Sequence, residues 1–180
     1  MPAFAYAYLA VWVAGYAIAL TWLVYIVRLV RYIRRHPRLN QLPDPGIRDD
    51  LPRVCVIVPA CDEGATIERC LRSLAHQDYP HLHIVAINDR STDETGRLMD
   101  RVAGETDRLT VLHVEALPAD WLGKNHANHL GASTPTAVAS DLLLFTDGDI
   151  VFEPDCVRRA VAHLGDHRLD HLALMPHLVA

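Results

Sequence analysis

The rhythm of apolar and polar positions changes twice along the chain. From Ala3 to Val27 no residue is charged, and the run reads A-F-A-Y-A-Y-L-A-V-W-V-A-G-Y-A-I-A-L-T-W-L-V-Y-I-V. At about 1.5 Å rise per residue such a helix reaches roughly 37 Å, enough for a bilayer hydrocarbon core of about 30 Å with some tilt. Tyr and Trp recur toward both ends, where interfacial anchors belong. A cleavable signal peptide would carry its basic residues before a shorter apolar core, whereas Arg28, Arg31, Arg34, Arg35 and Arg38 follow this one. The pattern predicts one N-terminal transmembrane helix, with residues 1–38 as anchor and basic juxtamembrane segment. The arginines trailing it place the rest of the chain on the cytoplasmic side of the cell (inner) membrane. Residues 39–52 then form a linker, because Pro43, Pro45 and Gly46 cannot continue a helix.

After Pro52 the apolar runs shorten and alternate in type. Val54 to Val58 is β-branched and almost wholly apolar, as a strand buried on both faces would be. Ile67, Cys70, Leu71, Leu74 and Ala75 are spaced three and four apart, like one face of a helix. Leu82 to Ile87 predicts a second strand, Thr92 to Ala103 a helix and Leu109 to Val114 a third strand. A shorter helix is expected over Asn125 to Leu130 and a fourth strand over Leu142 to Phe145. A last helix should open at Pro154, a favoured first helical position. Strands alternating with helices imply right-handed crossovers and a mostly parallel sheet with flanking helices, an α/β domain covering residues 53–180.

Composition and charge narrow the classes. Of 180 residues, 51% are hydrophobic and 22% charged, the balance of a folding chain with room for one ordinary domain. No fixed-period repeat argues for a solenoid. The net charge of −5 is split: residues 1–38 hold five arginines and no acid, leaving −10 for the remainder. An acidic domain excludes a nucleic-acid binder, which needs a basic face. Cys55, Cys61, Cys70 and Cys156 show no metal-binding spacing and read as reduced thiols.

In a parallel sheet, ligands bind beyond the carboxyl ends of the strands. Here those ends carry Pro59-Ala60-Cys61-Asp62-Glu63-Gly64, Asn88-Asp89-Arg90-Ser91-Thr92-Asp93 and Asp147-Gly148-Asp149. Taken singly, an Asp after a strand is usually a turn former or a helix cap, and Ser91 and Asp93 are expected to cap. Taken together, at least four carboxylates on one sheet edge repel unless a cation or donor compensates them. Asp147 and Asp149 offer two hard oxygen ligands side by side, suited to Mg²⁺ or Mn²⁺ completed by phosphate oxygens and water. Lys124, the single lysine beside 16 arginines, supplies a compact positive charge for the same anionic ligand. His126 with His129, and His163 with His167 and His171, have helical spacings but read as packed or solvated imidazoles.

These residues, in this order, resemble the family 2 glycosyltransferases with the GT-A (Rossmann-like) fold. The V-I-V-P-A-C-D-E segment is similar to the family's first-strand signature, which implies that Pro59, Ala60, Asp62 and Glu63 meet the nucleotide-sugar. By the same resemblance Asp89 recognises a uracil-type base. Asp147 lies near the ribose and the metal, Gly148 meets the nucleotide-sugar, and Asp149, the usual metal ligand, holds the Mg²⁺ or Mn²⁺ with Asp147. W-L-G-K-N-H-A followed by F-T-D-G-D-I is similar to enzymes that glycosylate lipids such as hopanoids, carotenoids or ceramide. The resemblance thus implies a UDP-linked donor, a lipid or membrane-associated acceptor and a role for the bilayer, with Lys124 near the donor. The family also carries a catalytic-base acid and a Q-x-x-R-W motif further on, and neither precedes Ala180. The base is therefore expected beyond Ala180, the domain to be cut short, and these residues alone not to turn over. His171 to Pro176 reads as the start of a further strand. A haloacid dehalogenase-type phosphatase would need Thr where Val151 stands. A nucleotidyltransferase would need a Gly-rich loop after its first strand. A membrane-tethered nucleotide-binding module without catalysis is the remaining alternative.

Overall fold

The uncharged N-terminal run folds as one helix, α1 (Pro2–Arg35). Within it Tyr8–Tyr32 has a mean hydropathy of 2.0 and none of it is buried among the described residues, so the helix is long and apolar enough to cross a membrane. The Thr21 hydroxyl donates back to the Ala17 carbonyl at 2.8 Å, which hides the run's one threonine hydroxyl inside the helix's own hydrogen bonding. The computed structural model describes residues 2–35, 39–46 and 50–176. It divides into two units, Met1–Leu42 and Pro43–Ala180.

The second unit is a four-stranded parallel sheet in the order β3-β2-β1-β4. Its strands are β1 (Val54–Ala60), β2 (Leu82–Asp89), β3 (Leu109–Val114) and β4 (Leu142–Phe145). The helices are α2 (Ile67–Ala75), α3 (Thr95–Ala103), α4 (Gly123–Ala132), the short α5 (Pro135–Val138) and α6 (Cys156–Asp166). Every residue of β1 is buried. The two-residue period of the strand divides its apolar run between two cores. Val54, Val56, Val58 and Ala60 pack with Ile84 and Ala86 against residues of α2, α3 and α6. Cys55 and Ile57 pack with Val85 and Ile87 against Ala127 of α4 and Ala137 of α5 on the other face. Helix α4 lies close to the sheet because Gly131 has no side chain; a Cβ there would meet Ile57 Cγ2 at 2.7 Å and Ile87 Cδ1 at 2.9 Å.

Two buried polar residues fasten the loops to this core. Tyr79 is 1% exposed and its hydroxyl donates to the Pro52 carbonyl, while burial pushes its pKa up to about 12. Gln77 donates to the carbonyls of Ser73 and Glu153 and accepts the Val157 amide, which pins the start of α6 to the end of α2.

Several boundaries differ from those read in the sequence. Strand β1 continues through Pro59 and Ala60, although proline cannot donate to a ladder. It is tolerated because β4 pairs β1 only from Val54 to Ile57, leaving Pro59 opposite β2 alone, in register with Ile87. Helix α3 starts at Thr95 and not at Thr92, since residues 92–94 are engaged in a loop described below. Helix α6 starts at Cys156, with Pro154 and Asp155 forming a turn before it. Helix α4 is longer than expected at both ends, and α5 was not anticipated, though Thr134 caps it by accepting the Ala137 amide. The expected strand at His171 to Pro176 does not form; those residues carry no regular structure.

Candidate active site at the carboxyl edge of the sheet

The chain steps from β1 to β2 to β3 in one direction, then crosses back to place β4 on the opposite flank of β1. That reversal opens a crevice between the carboxyl ends of β1 and β4, the usual ligand position in such sheets. The loops meeting there are Cys61 to Gly64 and Thr146 to Asp149. They are pressed together at Gly148, which is buried: an added Cβ would lie 3.2 Å from both Ala60 Cβ and Ile67 Cδ1 and 3.7 Å from Glu63 Cγ. The Thr146 amide donates to the Ile57 carbonyl and the Cys70 thiol to the Asp147 carbonyl, which fixes the backbone of the second loop. Asp147 and Asp149 flank this buried glycine and are both exposed.

Helix α4 supplies the positive charge. The Lys124 ammonium donates to Asp147 Oδ1 at 2.5 Å, with side chains 63% and 57% exposed. One residue earlier, Gly123 lies against Asp89, and an added Cβ would be 2.7 Å from both Asp89 Oδ2 and Arg90 Nη2. Asp89 is 4% exposed and is held in a two-pronged pair by its own neighbour: Arg90 Nε donates to Oδ1 at 2.8 Å and Nη2 to Oδ2 at 3.1 Å. Arg90 has φ +59°, a left-handed backbone that costs a non-glycine residue about 1 kcal/mol or more. The first two residues of α4 thus touch both acidic stations of the site.

The loops after β1 and β2 lock together by a reciprocal latch. Asp62 (φ +55°) accepts on Oδ1 the Thr92 amide at 2.7 Å, the Thr92 hydroxyl at 3.1 Å and the Asp93 amide at 3.2 Å. Its own amide donates to Ser91 Oγ at 3.1 Å. In return Asp93 accepts the Gly64 amide on Oδ2 at 2.9 Å and the Thr95 amide on Oδ1 at 2.9 Å. The Thr95 hydroxyl donates to Asp93 Oδ1 and accepts the Glu63 amide at 2.8 Å. The Thr95 hydroxyl and then its amide hold the Asp93 carboxyl below its ordinary value. Neither Asp93 nor Ser91 is the N-cap of α3, a position held by Glu94; Asp93 accepts the Thr95 amide from one residue earlier, and the Ser91 hydroxyl belongs to the latch.

Of the residues singled out in the sequence, the crevice gathers Ala60, Glu63, Asp147 and Gly148, with Lys124 reaching Asp147 from α4. Asp149 follows Gly148, and Asp89 stands one strand away, under Gly123. Pro59 is buried within β1. Asp62 is spent, on one oxygen at least, in holding the neighbouring loop. Arg90 and Thr95 were not anticipated. The only signal for Arg90 was a bulky residue directly after a strand-end acid, where the chain has to turn. Among the described residues no group of three or more His, Cys, Asp or Glu forms a metal cage. The pair Asp147 and Asp149 still fits Mg²⁺ or Mn²⁺, which take one or two carboxylates and fill the remaining positions with water and phosphate. The histidines stay outside this set. His126 and His129 flank Trp121 with ring centroids 5.4 and 5.1 Å away, and His163 and His167 pack on one another at 4.2 Å. All four cysteines are free; burial raises Cys70 to about 12 and Cys55 and Cys156 to about 11. The exposed Cys61 is also raised, by partial burial and then by Asp62 and Asp89, so it is no activated nucleophile.

Comparison with known proteins bears on the family and the fold. The 4,4'-diaponeurosporenoate glycosyltransferase of Staphylococcus aureus (strain N315) is 30% identical over 115 residues, which are 64% of this chain and 28% of that protein. The chain thus spans little more than a quarter of the length of the curated relatives it matches. Mannosyltransferase PcManGT from Pyrobaculum calidifontis, solved with GDP-Man and Mn²⁺, is 31% identical with a TM-score of 0.57, covering 80% of this chain and 40% of that one. Residues 1–349 of S. aureus TarS, solved with UDP, share the fold at a TM-score of 0.51 and 23% identity, over 64% of this chain and 33% of that one. The profile of the glycosyl transferase family 2 matches residues 55–176, about two thirds of the sequence, and the chain belongs to that family.

Proposed function

We propose that this chain carries the donor-binding part of a membrane-bound glycosyltransferase that moves a sugar from a UDP-linked donor to a lipid acceptor. The observation that carries the reading is the junction at Gly148, where the acidic loops after β1 and β4 meet at the reversal point of a parallel sheet. Asp147 and Asp149 hold Mg²⁺ or Mn²⁺, which when bound offsets the charge of the diphosphate and of the departing nucleotide. Lys124 adds a second cation on the α4 side, and Asp89 accepts an N–H of the base. Pro59, Ala60 and Glu63 wall the nucleotide, with Asp62 shaping that wall through its hold on Thr92 and Asp93. The acceptor hydroxyl must lose a proton to a general base for transfer to occur. The lipid acceptor is supported by α1, whose 25-residue apolar stretch keeps the domain at a bilayer, and by a carotenoid-type name among the relatives. The arginines after that stretch favour a cytoplasmic domain.

The test is titration of UDP-glucose into the complete protein in detergent, with and without Mn²⁺. Binding should require the metal, and Asp149→Ala should remove that requirement together with most of the affinity. Metal-dependent binding that survives in Asp149→Ala would defeat the assignment. For topology, a reporter fused after Ala180 should be shielded from protease in sealed cells; cleavage from outside would reverse the orientation.

A further inference from the structure

We propose that Arg90 is a removable cap on Asp89, so that the site trades an internal ion pair for the N–H of an incoming pyrimidine base. The inference rests on the reading of Asp89 as the base-recognising acid and adds what regulates access to it.

The geometry is asymmetric in a telling way. The Asp89 side chain is 6% exposed and that of Arg90 36%, so the guanidinium lies on the solvent side of the carboxylate. Both carboxylate oxygens are taken, one by Nε and one by Nη2. Gly123 closes a further side, since even a methyl group there would lie 2.7 Å from Asp89 Oδ2 and from Arg90 Nη2. With Arg90 in place, a base donor meets a carboxylate that is only 6% exposed and already bonded on both oxygens. Removal of Arg90 is cheap for three reasons. Its partner is its sequence neighbour, so the pair ties no distant elements together. More than a third of the side chain is already in water, where an ion pair gains little. Its backbone, at φ +59°, is held by amide donation to the carbonyls of Asn88 and Val114 and does not depend on the side chain. The pair keeps a nearly buried carboxylate compensated when no ligand is present. The base then substitutes one donor for another, and affinity is lowered only by the fraction of molecules in which Arg90 still covers Asp89.

The experiment measures binding of uridine, UDP and inorganic pyrophosphate, each with Mn²⁺, to the complete protein and to Arg90→Ala and Arg90→Gly. Arg90→Gly also removes the left-handed strain, so it guards against a loss caused by misfolding. If Arg90 is a cap, both variants bind uridine and UDP about five- to tenfold more tightly, by the same factor, with pyrophosphate unchanged. Adding Asp89→Asn to Arg90→Ala should cancel the gain. Weaker binding of pyrophosphate in both variants would instead make Arg90 a phosphate ligand, and unchanged or weaker uridine binding would overturn the cap. Tight Mn²⁺-dependent UDP binding by the parent with no gain in either variant would sink the cap alone. Failure of the parent to bind UDP at all would sink the donor reading with it.

Discussion

The two acidic stations of this site solve the same electrostatic problem in opposite ways. Asp89 is almost fully buried, compensated by an adjacent arginine on both oxygens and pressed by a glycine that admits no side chain. Asp147 and Asp149 are exposed, and Lys124, which pairs with Asp147, is itself mostly in water. A buried carboxylate must always face a donor or pay heavily in desolvation, so it selects what can take its arginine's place. Exposed carboxylates are screened, cost little when unpaired and can rearrange around an ion that arrives with its own water and phosphate. In the function proposed above, this difference would give specificity to the end of β2 and metal-assisted affinity to the end of β4.

The sharpest way to break that division is to remove one acid from each station. Asp149→Ala should lower nucleotide-sugar affinity more than about 100-fold in Mn²⁺ and leave the residue insensitive to the metal, since even partners of metal ligands are worth 10–100-fold. Asp89→Ala should cost about tenfold, as a lost hydrogen bond to a charged group does, and should cost the same with or without metal. Isothermal titration of both variants in Mn²⁺ and in chelator separates the two. An equal metal response in both would merge the stations into one.

The glycines at the two stations offer a second contrast, this time in stability. In Gly123→Ala the new Cβ meets two charged atoms at 2.7 Å, and the atoms belong to a pair seated against the sheet. Overpacking of this kind costs about 1–3 kcal/mol, and here part of it falls on the Asp89–Arg90 pair. Gly148→Ala meets carbon atoms at 3.2 Å, and Ile67 can shift by a few tenths of an ångström. Chemical denaturation should therefore rank Gly123→Ala as the more damaging, with the reverse order showing that the β1–β4 junction is the stiffer of the two.

How far the sequence discloses these features depends on the range of the interaction. The burial of β1 on both faces, the three-four spacing of α2 and the limits of β3 and β4 follow from local periodicity, and the structure has them where the pattern puts them. The acids at the strand ends were equally legible, because topology alone brings strand ends of a parallel sheet together. The latch was not. Asp62 and Asp93 are thirty-one positions apart, and only register between β1 and β2 makes each one the cap of the other's loop. The same bonds delay α3 to Thr95, which is why a helix read from propensity began three residues early. Arg90 escaped notice because its role depends on a left-handed turn and on the approach of Gly123, neither visible in composition.

The latch gives a smaller prediction beside the Asp89 station, since it holds the β1 loop to the β2 loop. The Asp93 carboxyl lies below its ordinary value of 3.8 in the folded protein because Thr95 donates to it. A group depressed on folding stabilises the fold above its unfolded value and loses that contribution as pH falls through the folded one. Stability measured by denaturant should therefore fall below about pH 4, and Asp93→Asn should flatten part of that fall. Thr95→Val should have its effect at neutral pH, because it strips the part-buried Glu63 amide of its acceptor at a cost of about 1 kcal/mol. An unaltered acid slope in Asp93→Asn would show that other carboxylates carry it.

Lys124 provides the mildest test, and its smallness is the point. Its bond to Asp147 is short, 2.5 Å, yet both side chains are more than half exposed, and such pairs contribute about 0.2–1 kcal/mol at most. Lys124→Met should thus leave unfolding stability within about 0.5 kcal/mol of the parent. It should reduce UDP affinity only a few-fold, and the reduction should shrink as salt rises, because the interaction is screened over about 10 Å at 0.1 M. Lys124→Arg separates charge from shape. The guanidinium restores the positive charge but brings a planar fork where an ammonium contacts a single oxygen, Asp147 Oδ1. Full rescue by arginine would mean that the exposed station needs only a charge, as its solvation implies. Failure of arginine, with stability unchanged, would mean that Asp147 is geometrically constrained after all, and the contrast with the buried Asp89 would narrow to one of degree.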